Sequence, residues 1–174
     1  MQVLKEEVRQ RIIKSAKREF KNNGFDKASM RDIADSAKMT VGNLYRYYKN
    51  KEDMFGAIVG DLYQELKDLR KNMSEEKGQV KELLDRLVEL QKANKAEWLI
   101  LFNTTKGTKY ARAVDDVYSL LTEALVEQYK GKDGFEEIAK PVSYAILNGL
   151  NTILQNERKY APEATDLFLE YMIK

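Results

Sequence analysis

Apolar residues recur along this chain at helical spacing. Leu4, Val8, Ile12, Ala16 and Phe20 step by four and mark the buried face of a helix over about residues 4–22. Asn22-Asn23-Gly24 reads as its stop, with the glycine free to turn left-handed. Ser29 offers an N-cap, with Asp32 at the capping-box position, to a short helix over about 30–37 that buries Ile33, Ala34 and Ala37. Lys38-Met39 predicts a turn, and Thr40 caps a second short helix over about 41–48. Asn50, with Asp53 three residues on, caps a long helix to about residue 72, striped by Phe55, Ile58, Leu62, Leu66, Leu69 and Met73. A polar loop is expected over 74–78. Further helices are expected near 79–94, 97–105 and 109–130, then a break at 131–134 with Asp133 as the next cap.

The last two predicted helices, about 134–156 and 163–173, have a different pattern. In the first, Ile138, Val142, Ala145, Ile146, Leu147, Leu150, Ile153 and Leu154 cover well over half the circumference. The second carries Leu167, Phe168, Leu169, Tyr171, Met172 and Ile173. A helix apolar on two faces must be covered on both. One face can pack within the chain; the other calls for a second copy, giving a four-helix seam about a two-fold axis. Pro141 marks the first turn or a kink of the first of these helices, and Pro162 precedes the second. The expected fold is all-α: a three-helix domain over 1–49, then a helical bundle over 50–174 that includes the dimer seam, about nine helices in all.

Composition narrows the chemistry. The 174 residues contain no cysteine and no histidine, which excludes disulfides, zinc sites built on thiolate or imidazole, and Ser-His or Cys-His nucleophile pairs. There is no P-loop and no Gly-rich dinucleotide motif, so no cofactor is expected. Asp115-Asp116 and Glu136-Glu137 are adjacent carboxylates, which point apart on a helix and make poor acid–base partners. An enzyme is not expected. No apolar run is long enough to span a membrane and no signal-peptide pattern opens the chain, so a cytoplasmic protein is expected. Net charge is +2 but unevenly placed: residues 1–51 hold 13 Lys+Arg against 6 Asp+Glu, and the remainder 17 against 22. A basic first third suits a polyanion.

The segment from Ser29 to Lys51 fits a major-groove reader: two short helices joined by a tight turn and braced by a third. Thr40 can cap and also meet a phosphate. Gly42 removes a side chain where the backbone must come close. Asn43 can pair with a base edge, adenine best of all. Tyr45, Arg46 and Tyr47 bring hydroxyl and guanidinium donors, and Lys51 sits in the first turn of the next helix, where free N–H groups also favour phosphate.

Three blocks in register carry a resemblance: Ile13-x-x-Ala16-x-x-x-Phe20 with Asn23-Gly24-Phe25; Ala28 to Ala34 (ASMRDIA); and Gly42 to Met54 (GNLYRYYKNKEDM). Residues 8–55 resemble the DNA-binding domain of the tetracycline-repressor (TetR) family. The resemblance implies a homodimer of about nine helices on a pseudopalindromic double-stranded operator, a small-molecule effector bound in the C-terminal domain, and repression lifted by that effector. By position it implies phosphate contacts from Ser29, Thr40, Tyr45, Tyr47 and Lys51. The groove-facing residues would be Arg31, Val41, Asn43 and Arg46, with Ile33, Ala34, Leu44 and Tyr48 in the core. The family's turn usually carries glycine where this chain has Lys38; a left-handed non-glycine there costs roughly 1 kcal/mol.

Beyond residue 50 the sequence is less specific. Trp98 and Phe102, one helical turn apart, and Tyr118, Tyr144 and Asn148 are the candidate effector residues, in keeping with sites that are mainly apolar with a few placed polar groups. Ordinary bundle core is the competing reading of each. A DNA-binding protein without an effector, or a helical protein-interaction module, stays open as an alternative; the second leaves the basic reading segment unexplained.

Overall fold

The computed structural model describes residues 2–76 and 79–172, without the side chains of residues 2–4, 74–76 and 104. The expectations for Leu4, Gly78 and Ile173 therefore fall outside it. The described residues form nine α-helices: α1 (Gln2–Lys27), α2 (Met30–Ser36), α3 (Val41–Leu44), α4 (Lys51–Glu76), α5 (Val80–Ala93), α6 (Lys95–Thr104), α7 (Ala113–Gln128), α8 (Phe135–Gln155) and α9 (Ala164–Met172). A single 3-10 turn, Glu157–Lys159, links the last two. None of the described helices is long and apolar enough to cross a membrane.

Packing divides the chain into two compact units. The first runs to Glu65 and takes in Ala96–Ala113; the second comprises Leu66–Lys95 and the chain from Val114 onward. In the first unit the predicted stripe of α1 buries Ile12, Ala16 and Phe20 completely. Phe20 meets Phe55 edge-on at 5.1 Å, and Phe25 meets Phe55 at 5.2 Å. Tyr110 packs on Phe55 and, edge-on, on Tyr63. Its hydroxyl lies 2.8 Å from where a Cβ on Gly56 would sit, so the glycine that lowers helix propensity in α4 makes room for a ring. Lys17 of α1 pairs with Glu97 of α6.

In the second unit α5 buries Val80, Leu83, Leu84, Leu87 and Val88, and α8 buries Ala139, Ile146, Leu147, Leu150 and Leu154. Gly149 receives α9: a Cβ there would lie 2.2 Å from Cζ of Phe168. The outer faces of α8 and α9 stay uncovered within the chain, with Ile138 and Leu167 each 50% exposed and Tyr171 77% exposed.

Several boundaries differ from the sequence reading, each for a local reason. Gly24, at φ 72°, breaks α1 as expected, yet helical turns resume to Lys27. α3 ends at Leu44 rather than Tyr48, because the next amides bond three residues back: Arg46 N–H to Asn43 O and Tyr47 N–H to Leu44 O. α4 continues through 73–76, into the stretch where polar composition predicts a loop. α7 starts at Ala113 and not near Lys109: the Thr108 hydroxyl donates to Thr105 O and accepts from the Tyr110 amide, holding turns in place of a helix. Asp133 is not the cap of α8; Gly134 takes that place at φ 75° with no side-chain cap. Pro141 sits inside α8 beyond the first turn.

Candidate nucleic-acid interface

Two side-chain caps set the reading segment. Ser29 Oγ accepts from the amides of Arg31 and Asp32 at 3.2 and 3.4 Å, and Thr40 Oγ1 accepts from the Asn43 amide at 3.2 Å. Between them the chain turns at Lys38, the one non-glycine residue with positive φ (55°) among the described residues. Ile33, Ala34, Ala37, Leu44 and Tyr48 are buried beneath, as the periodicity requires. The turn and the caps thus present α3 with its apolar side inward and its polar side in solvent.

That polar side has no role within the chain. Arg31, Asn43, Tyr45 and Arg46 are exposed and Tyr47 is half-buried. Among the described residues none of these five side chains has a hydrogen bond, ion pair or ring contact. Tyr45 is 49% exposed. Val41 is half-buried at the start of α3. Gly42 is exposed, and a Cβ added to it would meet nothing within 4 Å. No packing among the described residues therefore demands glycine there.

Lys51 is placed differently from the expectation that it meets phosphate. Its ammonium donates to the carbonyls of Phe25, Asp26 and Ala28 at 2.6, 3.2 and 3.0 Å and lies 4.5 Å from the centre of the Phe25 ring. All three donors of the group are engaged in tying the start of α4 to the α1–α2 connector. What α4 still offers an anion is its N-terminal backbone. There Asn50 Oδ1 accepts from the Asp53 amide at 2.7 Å, while the Asp53 carboxylate accepts from the Lys49 amide at 3.0 Å.

The candidate effector residues fall into two groups. Trp98 and Phe102 stack at 4.2 Å in the first unit, with Trp98 1% exposed as a core residue. Tyr118, Tyr144 and Asn148 come together in the second. The two rings stack at 4.0 Å, and the Tyr118 hydroxyl donates to Asn148 Oδ1 at 3.1 Å. Burial, helped by Tyr144 and Asp115, raises the Tyr118 phenol above its ordinary pKa against the lowering pull of the Asn148 bond. A groove of about 340 Å³ between α7 and α8 is lined by Tyr118 and Tyr144 with Asp115, Thr122, Glu123 and Lys140. Sequence reasoning missed the capping by Lys51 and the packing of Tyr110. Neither leaves a local signal, since each joins residues far apart in the chain.

Comparison with known proteins agrees with the geometry. Residues 12–58 match the family model described as "Bacterial regulatory proteins, tetR family". The chain is similar to the uncharacterized HTH-type transcriptional regulator YdgC of Bacillus subtilis, 31% identical over 72 residues, covering 41% of this chain and 37% of the relative. It is also similar to the HTH-type transcriptional regulator UidR of Escherichia coli K12, 37% identical over 59 residues, covering 34% and 30%. The chain thus spans only about a third of the length of these curated relatives. Solved structures match along nearly the whole chain. NalD, the secondary repressor of the MexAB-OprM multidrug efflux pump in Pseudomonas aeruginosa, gives a TM-score of 0.56 at 20% identity, covering 97% of this chain and 94% of that one. FadR of Bacillus subtilis in complex with stearoyl-CoA gives 0.58 at 19%, covering 95% and 97%. At such identities the structures establish the fold, and the sequence match establishes the domain over 12–58. Residues 12–58 thus resemble the domain described by the tetR-family model of bacterial regulatory proteins.

Proposed function

We propose that this protein is a sequence-specific DNA-binding transcriptional regulator, a repressor released from its operator by a small molecule. One observation carries the DNA-binding half: five polar side chains without partners among the described residues lie about two capped helices, beside a glycine with open space above it. Ser29, Thr40, Tyr45 and Tyr47 hold phosphates; Arg31, Val41, Asn43 and Arg46 face the groove, with the backbone at Gly42 approaching the duplex. Lys51 fixes the connector from within and leaves phosphate to the α4 N-terminus. The functional division falls at residues 49 and 50, although packing groups part of α4 with the reading helices.

The uncovered apolar residues of α8 and α9 support a homodimer, which sets two α3 helices on a pseudopalindrome about one DNA turn apart. The effector half is supported by the α7–α8 groove, whose volume lies at the lower end of small-molecule sites, and by the stearoyl-CoA bound to FadR. Tyr118, Tyr144 and Asn148 are its proposed contacts; Trp98 and Phe102 belong to the other unit, where Trp98 is buried in the core. The ligand must bind the form that cannot hold DNA more tightly than the form that can.

Arg46→Ala and Gly42→Ala on the full chain test the interface. Arg46→Ala should weaken a selected duplex about 5- to 150-fold. Gly42→Ala should weaken it too, with thermal stability unchanged or slightly raised, since alanine suits a helix better. Normal binding by both variants, measured by fluorescence anisotropy, would remove the assignment.

A further inference from the structure

α1 carries a second basic surface that the reading face does not use. Arg11, Lys14, Arg18 and Lys21 are all exposed. Their steps of three, four and three place them in one strip along the helix, opposite the buried Ile12, Ala16 and Phe20. Among the described residues none of the four forms an ion pair. The neighbouring groups of α1 are engaged elsewhere. Lys17 pairs with Glu97, and Glu19, the one carboxylate between residues 11 and 21, accepts from Asn23 at 2.8 Å. Glu7 lies exposed one turn ahead of the strip. Four uncompensated cations in a row repel one another and are stabilised by an anionic partner.

The strip joins the helix-turn-helix at one end of α2. The Arg18 guanidinium donates to Ser36 Oγ, and Lys38, exposed in the left-handed turn, follows two residues later. The geometry points to DNA phosphates outside the half-site read by α3 as the occupant, an inference that rests on the DNA-binding reading above. From Arg11 to Lys21 the helix rises about 15 Å, the axial span of about four phosphates on one strand. The side chains are flexible cations without a neighbouring groove reader, so their contribution is independent of sequence and sensitive to salt. An acidic protein would satisfy the charge alone; continuity with the turn through Arg18 and Lys38 favours the duplex.

The test compares two duplexes built on the best site selected from random DNA: one trimmed to the two half-sites, one with about 15 extra base pairs on each side. The full-length wild type should bind the flanked duplex about tenfold more tightly near physiological salt, with a steeper dependence of log K on log salt. The variant R11Q/K14Q/K21Q, which spares Arg18 and its bond to Ser36, should lose that advantage. Its slope should fall by about 0.9 for each contact removed, with binding to the trimmed duplex unchanged and the thermal midpoint the same or slightly higher, as repulsion is relieved. Equal wild-type affinity for both duplexes, or a variant that keeps the advantage, would overturn the inference and leave the reading head intact. Failure to select any site would overturn both.

Discussion

Tyr45 and Tyr144 are both exposed tyrosines on helical segments, at 49% and 37%, and their surroundings differ. Tyr144 lies against Tyr118 at 4.0 Å and nearly parallel, so the chain accounts for much of its position. Tyr45 has no partner among the described residues and stands between Asn43 and Arg46, which have none either. An exposed ring that the fold supports is a structural residue with one face to offer. An exposed ring that the fold does not hold has both faces available to an outside partner. The same contrast separates the two regions at large: the reading segment presents polar groups without partners among the described residues on a well-capped frame, whereas the two rings that line the α7–α8 groove already lie against each other.

The largest expected effect tests the frame. Lys51→Met should lower stability by about 1.5–3 kcal/mol, since charged hydrogen bonds to three carbonyls are lost. Chemical denaturation measures it, and a loss of DNA affinity without loss of stability would instead return Lys51 to the phosphate contacts. Gly149→Ala comes next. The added methyl collides with Phe168, and overpacking of this kind costs about 1–3 kcal/mol. Sedimentation should show α9 displaced as a shift toward monomer, and an unchanged dimer would mean that the seam does not depend on α9. The smallest effects compare the two tyrosines directly. Tyr144→Ala should cost about 0.5–1.5 kcal/mol of stacking and leave operator affinity alone. Tyr45→Ala should change stability by no more than about 0.5 kcal/mol and weaken the operator complex. The reverse pattern would exchange their roles.

What the amino-acid order discloses is local or periodic. The caps at Ser29, Thr40 and Asn50 act over three residues, so their bonds could be named in advance. The stripe of Ile12, Ala16 and Phe20 follows from helical period alone. The exposure of Tyr45 follows from its angle to Leu44 and Tyr48. Features made by distant residues were hidden: Lys51 reaches back 23 to 26 positions to its carbonyls, and Tyr110 finds Gly56 across half a hundred residues. Hydroxyl bonding at Thr108 delayed α7 where the apolar pattern alone continued a helix backward. The proposed effector site suffers most from this. Stacking of Tyr118 on Tyr144 joins two helices, and no spacing in one helix specifies a ring in another.

We propose that the side of α3 without partners among the described residues reads DNA as one of a two-fold pair. Selection from a random duplex pool with the full-length protein tests it most directly. The account predicts enrichment of two inverted half-sites centred about 10 base pairs apart, and loss of that enrichment with Arg46→Ala. A pool that stays random after selection with the folded wild-type protein, or a motif unaltered by Arg46→Ala, would contradict it.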